Sequence, residues 1–326
     1  MKYNIQQLYD ANFPQRLNDF LNYLRTIKGK SENTIESYKL DLIMFFRFLK
    51  LYKGMVPGET EFNDIEIKDI SDEDIKNISL TDLFAFVSFV ENYRNNGSYA
   101  KARKVATLKS FFRFLQGKVK IIKENPALEL ESPKISKRNP VYLTLDESKR
   151  LLSSIDGKFK ERDLCIVTMF LNCGLRLSEL CGINISNIKN DILTVVGKGN
   201  KERTVYLNKA CIKTLNDYLS VRKEMGEKIV DKDALFLSKN YTRINKRSVE
   251  MLVKKYVKKA GLDGEKYSPH KLRHTAATLM YKHGGVDIRS LQMILGHENI
   301  STTQIYTHVD SDRLREAVKS NPLSDE

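Results

Sequence analysis

Pro133 and Pro140 bracket a short run, Lys134-Ile135-Ser136-Lys137-Arg138-Asn139, that holds three cations and one apolar residue. Each proline disfavours helix at the residue before it and has no amide hydrogen for a sheet. A stretch like this cannot sit inside a packed element, so it reads as an extended linker. It divides the chain into residues 1–132, a linker over 133–141, and residues 142–326. A chain of 326 residues is long enough for two ordinary domains.

The first part reads as helices. Ile35, Tyr38, Leu42, Phe45, Phe46 and Leu49 recur every three or four residues, one face of a helix that Ser31 or Asn33 can cap. Leu80, Leu83, Phe84, Val87 and Val90 repeat the pattern, as do Ala102, Val105, Leu108, Phe112 and Leu115. With a further helix from about Gln15 to Ile27, this predicts a bundle of four. The stretch from Gly54 to Ser79 carries eight acids between Glu59 and Asp74 and reads as a long surface connection kept off any polyanion. The fourth helix region is its opposite: eight cations and no acid between Ser98 and Lys123. Phosphate contact is expected there, through Lys101, Arg103, Lys104, Lys109 and Arg113. Arg138 in the linker extends that surface.

The second part mixes helix and strand. Thr144-Leu145-Asp146-Glu147 is a helix start with acids in the first turn, and a largely apolar helix over about Arg162 to Asn172 ends at Gly174. Ile192 to Val196 and Arg203 to Leu207 are β-rich and flank Gly197-Lys198-Gly199-Asn200-Lys201, a hairpin. Helices follow over Asn208 to Met225 and Lys246 to Ala260, and another begins at Pro269. Lys239, Arg243, Lys246, Arg247, Lys254, Lys255, Lys258 and Lys259 form a second basic tract. The whole is expected to be mainly α with a small β-sheet.

Charge points to the partner. Lys and Arg number 55 against 41 Asp and Glu, a surplus of +14 that suits a polyanion. No apolar run is long enough to span a bilayer, and the first residues lack a signal peptide's apolar core, so a cytoplasmic protein without membrane association is expected. Cys165, Cys173, Cys181 and Cys211 form no Cys-x-x-Cys pair and no zinc spacing with histidine, which leaves them as reduced, buried thiols and predicts no metal site.

Six polar residues stand at breaks between elements: Arg176 after a helix-ending glycine, Lys198 at the hairpin tip, His270 and Arg273 one turn apart, His297 after Gly296, and Tyr306. Two arginines can clamp a phosphate, a lysine can donate a proton and a histidine can accept one. A tyrosine hydroxyl can attack phosphorus. Tyr306 lies among polar residues (Thr303, Gln304, Thr307, His308), which suits an accessible hydroxyl. Gly-Lys-Gly-Asn-Lys lacks the spacing of a nucleotide P-loop.

The set Gly174-Leu175-Arg176-Leu177-Ser178-Glu179-Leu180, Gly197 to Arg203, His270-Lys271-Leu272-Arg273-His274, Leu295-Gly296-His297 and Tyr306-Thr307-His308-Val309 resembles the tyrosine recombinase (phage integrase) family, and most of all its bacterial Xer subgroup. The resemblance implies an N-terminal four-helix SAM-like core-binding domain and a mixed α/β catalytic domain that together clamp double-stranded DNA at a specific recombination site. It implies that Arg176 and Arg273 neutralise the scissile phosphate and that His270 accepts or holds the tyrosine proton. His297 would donate to a phosphate oxygen, Tyr306 would form a 3′-phosphotyrosine, and Lys198 would protonate the leaving 5′ oxygen, with no cofactor. Lys201, Arg203, Arg243, Lys246 and Arg247 join the expected DNA contacts. The resemblance further implies a homo-tetramer on two sites, alone or with a second recombinase, coupled by a C-terminal exchange helix with Leu314, Ala317 and Val318 at helical spacing. A role in chromosome dimer resolution with a septal DNA translocase as partner also follows from it. A type IB topoisomerase, a mobile-element integrase and a binding protein with relic motifs are the rival readings.

Overall fold

The computed structural model describes residues 9–94, 97–134, 140–197 and 201–309, the side chains of 301 and 307–309 excepted. The chain falls into two compact units, Met1–Lys137 and Arg138–Glu326. It is mainly helical with one small sheet.

The first unit is built on α1 (Gln15–Thr26), α2 (Glu32–Tyr52), α4 (Leu80–Asn92) and α5 (Ser98–Phe114), with a short α3 (Asp72–Lys76) between α2 and α4. Serine hydroxyls start three of these: Ser31, Ser71 and Ser79 each accept an amide hydrogen of the first turn, and Asp74 and Asp82 complete capping boxes for α3 and α4. Phenylalanines fill the core. Phe20 meets Phe111 edge-on at 5.3 Å, and Phe45 meets Phe86 at 5.1 Å. α5 runs on through a π turn, Leu115–Val119, and Ala127 and Leu130 still belong to this core.

The acidic stretch from Gly54 to Ser79 departs from expectation. It is packed rather than a mere surface connection: Ile67, Ile70, Ile75 and Ile78 are buried in the same core as the long helices. Its acids hold it down. Asp69 pairs with the buried Lys50 of α2 at 2.7 Å, and Asp72 pairs with Arg16 of α1 at 2.6 Å. The alternation of isoleucine and acid is therefore one inward and one outward face.

The second unit is centred on α7 (Lys160–Cys173), most of whose residues are buried between α6 (Leu145–Ser153), α9 (Lys209–Glu224) and α11 (Pro269–His283). Thr144 and Glu147 form the capping box of α6, and Asn208 and Asn245 cap α9 and α10 (Lys246–Lys259). The short α8 (Leu177–Gly182) follows α7 directly. The sheet is antiparallel in the order β1 (Ile188–Lys189), β2 (Ile192–Val196), β3 (Glu202–Tyr206), with Val196 opposite Glu202 at the hairpin tip. Leu193, Val195 and Val205 face the core while Ile192, Val196 and Tyr206 face out. α12 (Ile288–Leu295) is capped by Asp287 and ends at Gly296, whose φ of 62° is left-handed. Two 3-10 turns, Ile300–Thr302 and Gln304–Val309, carry the chain to Tyr306. The four cysteines are buried, as expected.

Candidate active site

The end of α12 organises the site. Its last carbonyls have no partner within the helix, and the helix dipole makes them a weak anion. Three arginines from three other elements converge on them. Arg203 of β3 donates to the Ile294 carbonyl, Arg273 of α11 donates to the Leu295 carbonyl at 2.7 Å, and Arg176 before α8 donates to the Gly296 carbonyl at 2.6 Å. Arg273 also donates to the carbonyl of Gly174 at 2.6 Å. Gly174 and Gly296 are needed here in a literal sense. A Cβ on Gly174 would stand 2.8 Å from Leu295 Cδ2, and one on Gly296 would stand 2.6 Å from Arg203 Cδ.

Glu179 lies at the centre of the three arginines, with its side chain wholly buried. It accepts from the Arg176 amide at 2.7 Å, from Arg176 Nη1 at 2.7 Å and from Arg203 Nη2 at 2.9 Å, with Arg273 Nη1 3.9 Å away. Burial pushes its carboxyl upward, but the arginines outweigh it and the net effect lowers it. Burial and the neighbouring Arg176 bring the Arg273 guanidinium down to about 10, still a full cation at neutral pH. Three guanidinium charges against one carboxylate leave a surplus of two.

That surplus borders an open cleft of about 420 Å³, lined in part by Arg176, Lys201, Arg203, Gly296 and His297. Nδ1 of His297 meets the Thr303 hydroxyl at 2.9 Å. Thr303 donating to Nδ1 leaves the proton on Nε2, a donor available to an anion. Burial, together with Arg273, Arg176 and Arg203, lowers His297 to about 4, so it is neutral at pH 7. Such a cleft suits a phosphate, and guanidinium forks beside it suit the charge of a phosphoryl transition state.

Tyr306 differs from expectation. It is 1% exposed, one of the most enclosed large side chains in the structure, and does not line the cleft. Of the polar residues before it Gln304 is exposed but Thr303 is buried, and Tyr306 itself packs with Ala277, Leu291 and Leu295. The hydroxyl is held by Nδ1 of His274 at 2.6 Å, and not by His270, the partner expected for it. His270 is exposed on the first turn of α11, its ring 4.5 Å from that of His274. Sequence reasoning missed His274, although the four-residue spacing of the two histidines on one helix was a usable signal. Lys198 lies outside the described residues, as do Arg138 and the segment from 310 onward; Gly197 and Lys201, on either side of the hairpin tip, line the cleft.

The expected DNA contacts divide. Lys104 is buried against Asp41, and Arg103 donates to the same Asp41 at 2.7 Å, so both serve the first unit's packing. Lys101 pairs with Glu91 and is mostly covered. Arg243 is held by Asp231, the carbonyls of Cys181 and Ile183, and Asn184; it clamps a turn. Arg203 is occupied by Glu179 and Ile294, although it borders the cleft. Arg113, Lys246 and Arg247 are exposed, Lys109 is half-buried, and Lys201 is exposed beside Glu298. Among the described residues no group of His, Cys, Asp and Glu could hold a metal, and no helix is long and apolar enough to cross a membrane.

Comparison with known proteins gives this arrangement its context. Residues 141–313 match the model of the phage integrase family, and residues 17–55 match that of the phage integrase N-terminal SAM-like domain. A tyrosine recombinase XerC of Caldanaerobacter subterraneus subsp. tengcongensis is 60% identical over 96% of this chain and 88% of its own length. A tyrosine recombinase XerD of Proteus mirabilis is 34% identical over 92% and 90%. Among solved structures, a XerH site-specific recombinase bound to a palindromic difH substrate has a TM-score of 0.70 at 22% identity, covering 97% of this chain and 91% of that one. The last is a likeness of fold.

Proposed function

The chain belongs to the tyrosine recombinase (phage integrase) family, among the Xer-like site-specific recombinases, and on that premise we propose which of its residues perform DNA cleavage and rejoining. Arg176 and Arg273 clamp the scissile phosphate, His297 donates to one of its oxygens, Tyr306 is the nucleophile, and His270 accepts or holds the tyrosine proton. The Tyr306 oxygen bonds to phosphorus as the bond to the 5′ oxygen breaks, which leaves a 3′-phosphotyrosine. Lys198 protonates the departing 5′ oxygen. The 5′ hydroxyl of a partner duplex then attacks the phosphotyrosine and regenerates Tyr306. One phosphoester replaces another at each step, so the bond energy is conserved.

The observation that carries this reading is the surplus of arginine charge around buried Glu179 at the rim of an open cleft. Guanidinium groups already fixed in place need no reorganisation when charge develops on the phosphate, the condition under which such stabilisation is largest. Glu179 fixes them: without it, three like charges would repel and splay. The substrate is double-stranded DNA carrying a specific site. Two such sites are joined in a tetramer in which residues after Asp312 dock on a neighbouring protomer. The biological setting we infer is resolution of chromosome dimers, the role expected of the Xer group, with a septal DNA translocase as activating partner.

A duplex selected by the protein from a random pool, then nicked beside the cleavage position, tests the chemistry. It should trap a covalent protein–DNA adduct that Tyr306→Phe abolishes; no adduct on any selected duplex refutes the proposal. Deleting the residues after Asp312 should abolish recombination between two sites while sparing binding to one. Recombination that survives the deletion removes the tetramer coupling.

A further inference from the structure

We propose that Thr303 is a positioning residue for the phosphate site: its buried hydroxyl fixes the ring and the tautomer of His297, so that the Nε2 proton is the one offered to the cleft. The inference rests on His297 donating to a phosphate oxygen during DNA cleavage. Geometry is its first support. The Thr303 hydroxyl stands 2.9 Å from His297 Nδ1, and among the described residues it has no other hydrogen-bond partner. His297 lines the cleft, whereas Thr303 is wholly buried behind it and out of reach of a bound phosphate. The second support is anchoring, because the backbone is tied on both sides of this contact. The Thr303 amide donates to the Ile300 carbonyl at 2.8 Å. The His297 amide donates to the Gln292 carbonyl at 3.1 Å, and Gln292 Nε2 donates to the His297 carbonyl at 3.0 Å. With both backbones held, rotation of the imidazole is the soft motion left, and the hydroxyl restrains it. None of these contacts uses the Tyr306 side chain.

The hydroxyl proton sets the direction of the bond. If Nδ1–H donated to Thr303, the hydroxyl hydrogen would be a buried donor without an acceptor among the described residues, which folded proteins avoid. With the hydroxyl donating to Nδ1, that hydrogen is satisfied and the ring proton sits on Nε2, where the open cleft supplies a partner. The tautomer matters because the ring is neutral. Burial first, then Arg273, Arg176 and Arg203, lower His297 to about 4. A neutral imidazole has one N–H, and with that proton on Nδ1 it would turn a lone pair towards the phosphate oxygens. A bound phosphodiester sets one negative charge against the surplus of two left by the three arginines and Glu179. The surroundings therefore stay positive and keep the ring neutral. The donor is in place before the substrate arrives, and no reorganisation is needed as charge develops on the phosphate.

The test is single-turnover adduct formation on the nicked duplex by Thr303→Val, Thr303→Ser, His297→Ala and the combination of Thr303→Val with His297→Ala. Valine keeps the shape and loses the hydroxyl; serine keeps the hydroxyl. Thr303→Val should cleave about 10-fold more slowly, the effect of one hydrogen bond, and Thr303→Ser should retain most of the wild-type rate. His297→Ala should lose about 10²–10³-fold, as when a donor to the developing charge is removed. In the His297→Ala background Thr303→Val should add nothing, because a positioning residue acts only through the ring it positions. An equal loss from Thr303→Val with and without His297 overturns the proposal and makes Thr303 a packing residue alone, and a wild-type rate in Thr303→Val overturns it as well. Nitrogen NMR of the wild-type protein without DNA decides the same point should Thr303→Val fail to fold. At pH 7 His297 must carry its proton on Nε2 and none on Nδ1; the opposite tautomer or a charged ring overturns the proposal. Wild-type adduct formation in parallel separates failure of this inference from failure of the recombinase reading.

Discussion

In each unit a buried carboxylate gathers more than one cation, and the two clusters come to opposite ends. In the first unit Asp41 of α2 accepts from Arg103 at 2.7 Å and from Thr107 at 3.0 Å, with the ammonium of buried Lys104 at 3.2 Å. In the second, Glu179 gathers Arg176, Arg203 and Arg273. Asp41 ties α2 to α5. Glu179 holds one more cation than Asp41 does, and its surplus opens on a cleft. A buried ion pair by itself is weak evidence for stability or for function. The excess charge and the open side make the second cluster a site.

The comparison breaks most sharply under neutral substitutions. Glu179→Gln should lower single-turnover cleavage by about 10²–10³-fold, because the arginines that stabilise the transition state lose their common anchor. It should also cost roughly 3–5 kcal/mol of stability in urea unfolding, as expected when one partner of a buried charge cluster is removed. Asp41→Asn should cost a similar amount of stability and leave cleavage per folded molecule near the wild-type rate. Equal losses of activity from both would show that the second cluster is no more specialised than the first.

Acid should separate the units by a smaller margin. All five histidines lie in the second unit, from His270 onward. Burial first, then neighbouring cations, lower His270, His274 and His297, the last two to about 4. An unfolded histidine binds protons below about pH 6.5, while these folded ones refuse them. Their contribution is therefore complete above pH 6.5 and lost as pH falls from there towards 4. Each of the two larger shifts is worth at most about 3 kcal/mol before solvent screening. In the first unit the lowered groups are carboxylates such as Asp69, held down by Lys50, and Asp72, held down by Arg16. Their contribution is lost only as pH falls below the ordinary aspartate range. Hydrogen exchange at pH 5 should show the second unit loosening while the first stays protected. Simultaneous loosening would place the acid-sensitive groups elsewhere.

What could be read in the sequence follows the range of the interactions. Capped helices and the hairpin were legible because Ser31, Thr144 and the glycine-rich tip act on neighbouring residues. The residues of the cleft were legible because the motif around each is local. Long-range pairing was not. Arg103 meets an acid 62 positions away, so a stretch without acids looked free when part of it was already paired. The acidic connection misled for a related reason: its charge was conspicuous, and the isoleucines spaced among the acids carry its packing. His274 stood inside a quoted motif, but only the folded turn that brings Tyr306 back onto α11 gives it a partner.

The smallest effect sharpens the same contrast at the surface. Lys201 pairs with Glu298 at 3.0 Å across the mouth of the cleft, with side chains 74% and 66% exposed. A pair so open to water is worth about 0–1 kcal/mol, so Lys201→Ala should leave the urea midpoint almost unchanged. Its ammonium still borders the cleft, where a DNA phosphate competes with Glu298 for it. Lys201→Ala should therefore reduce the salt dependence of DNA binding by about one counterion, and Glu298→Gln should strengthen binding slightly at low salt. An unchanged salt slope in Lys201→Ala would mean that this rim lysine never meets the backbone. The positive field of the site would then end with the arginines anchored on Glu179.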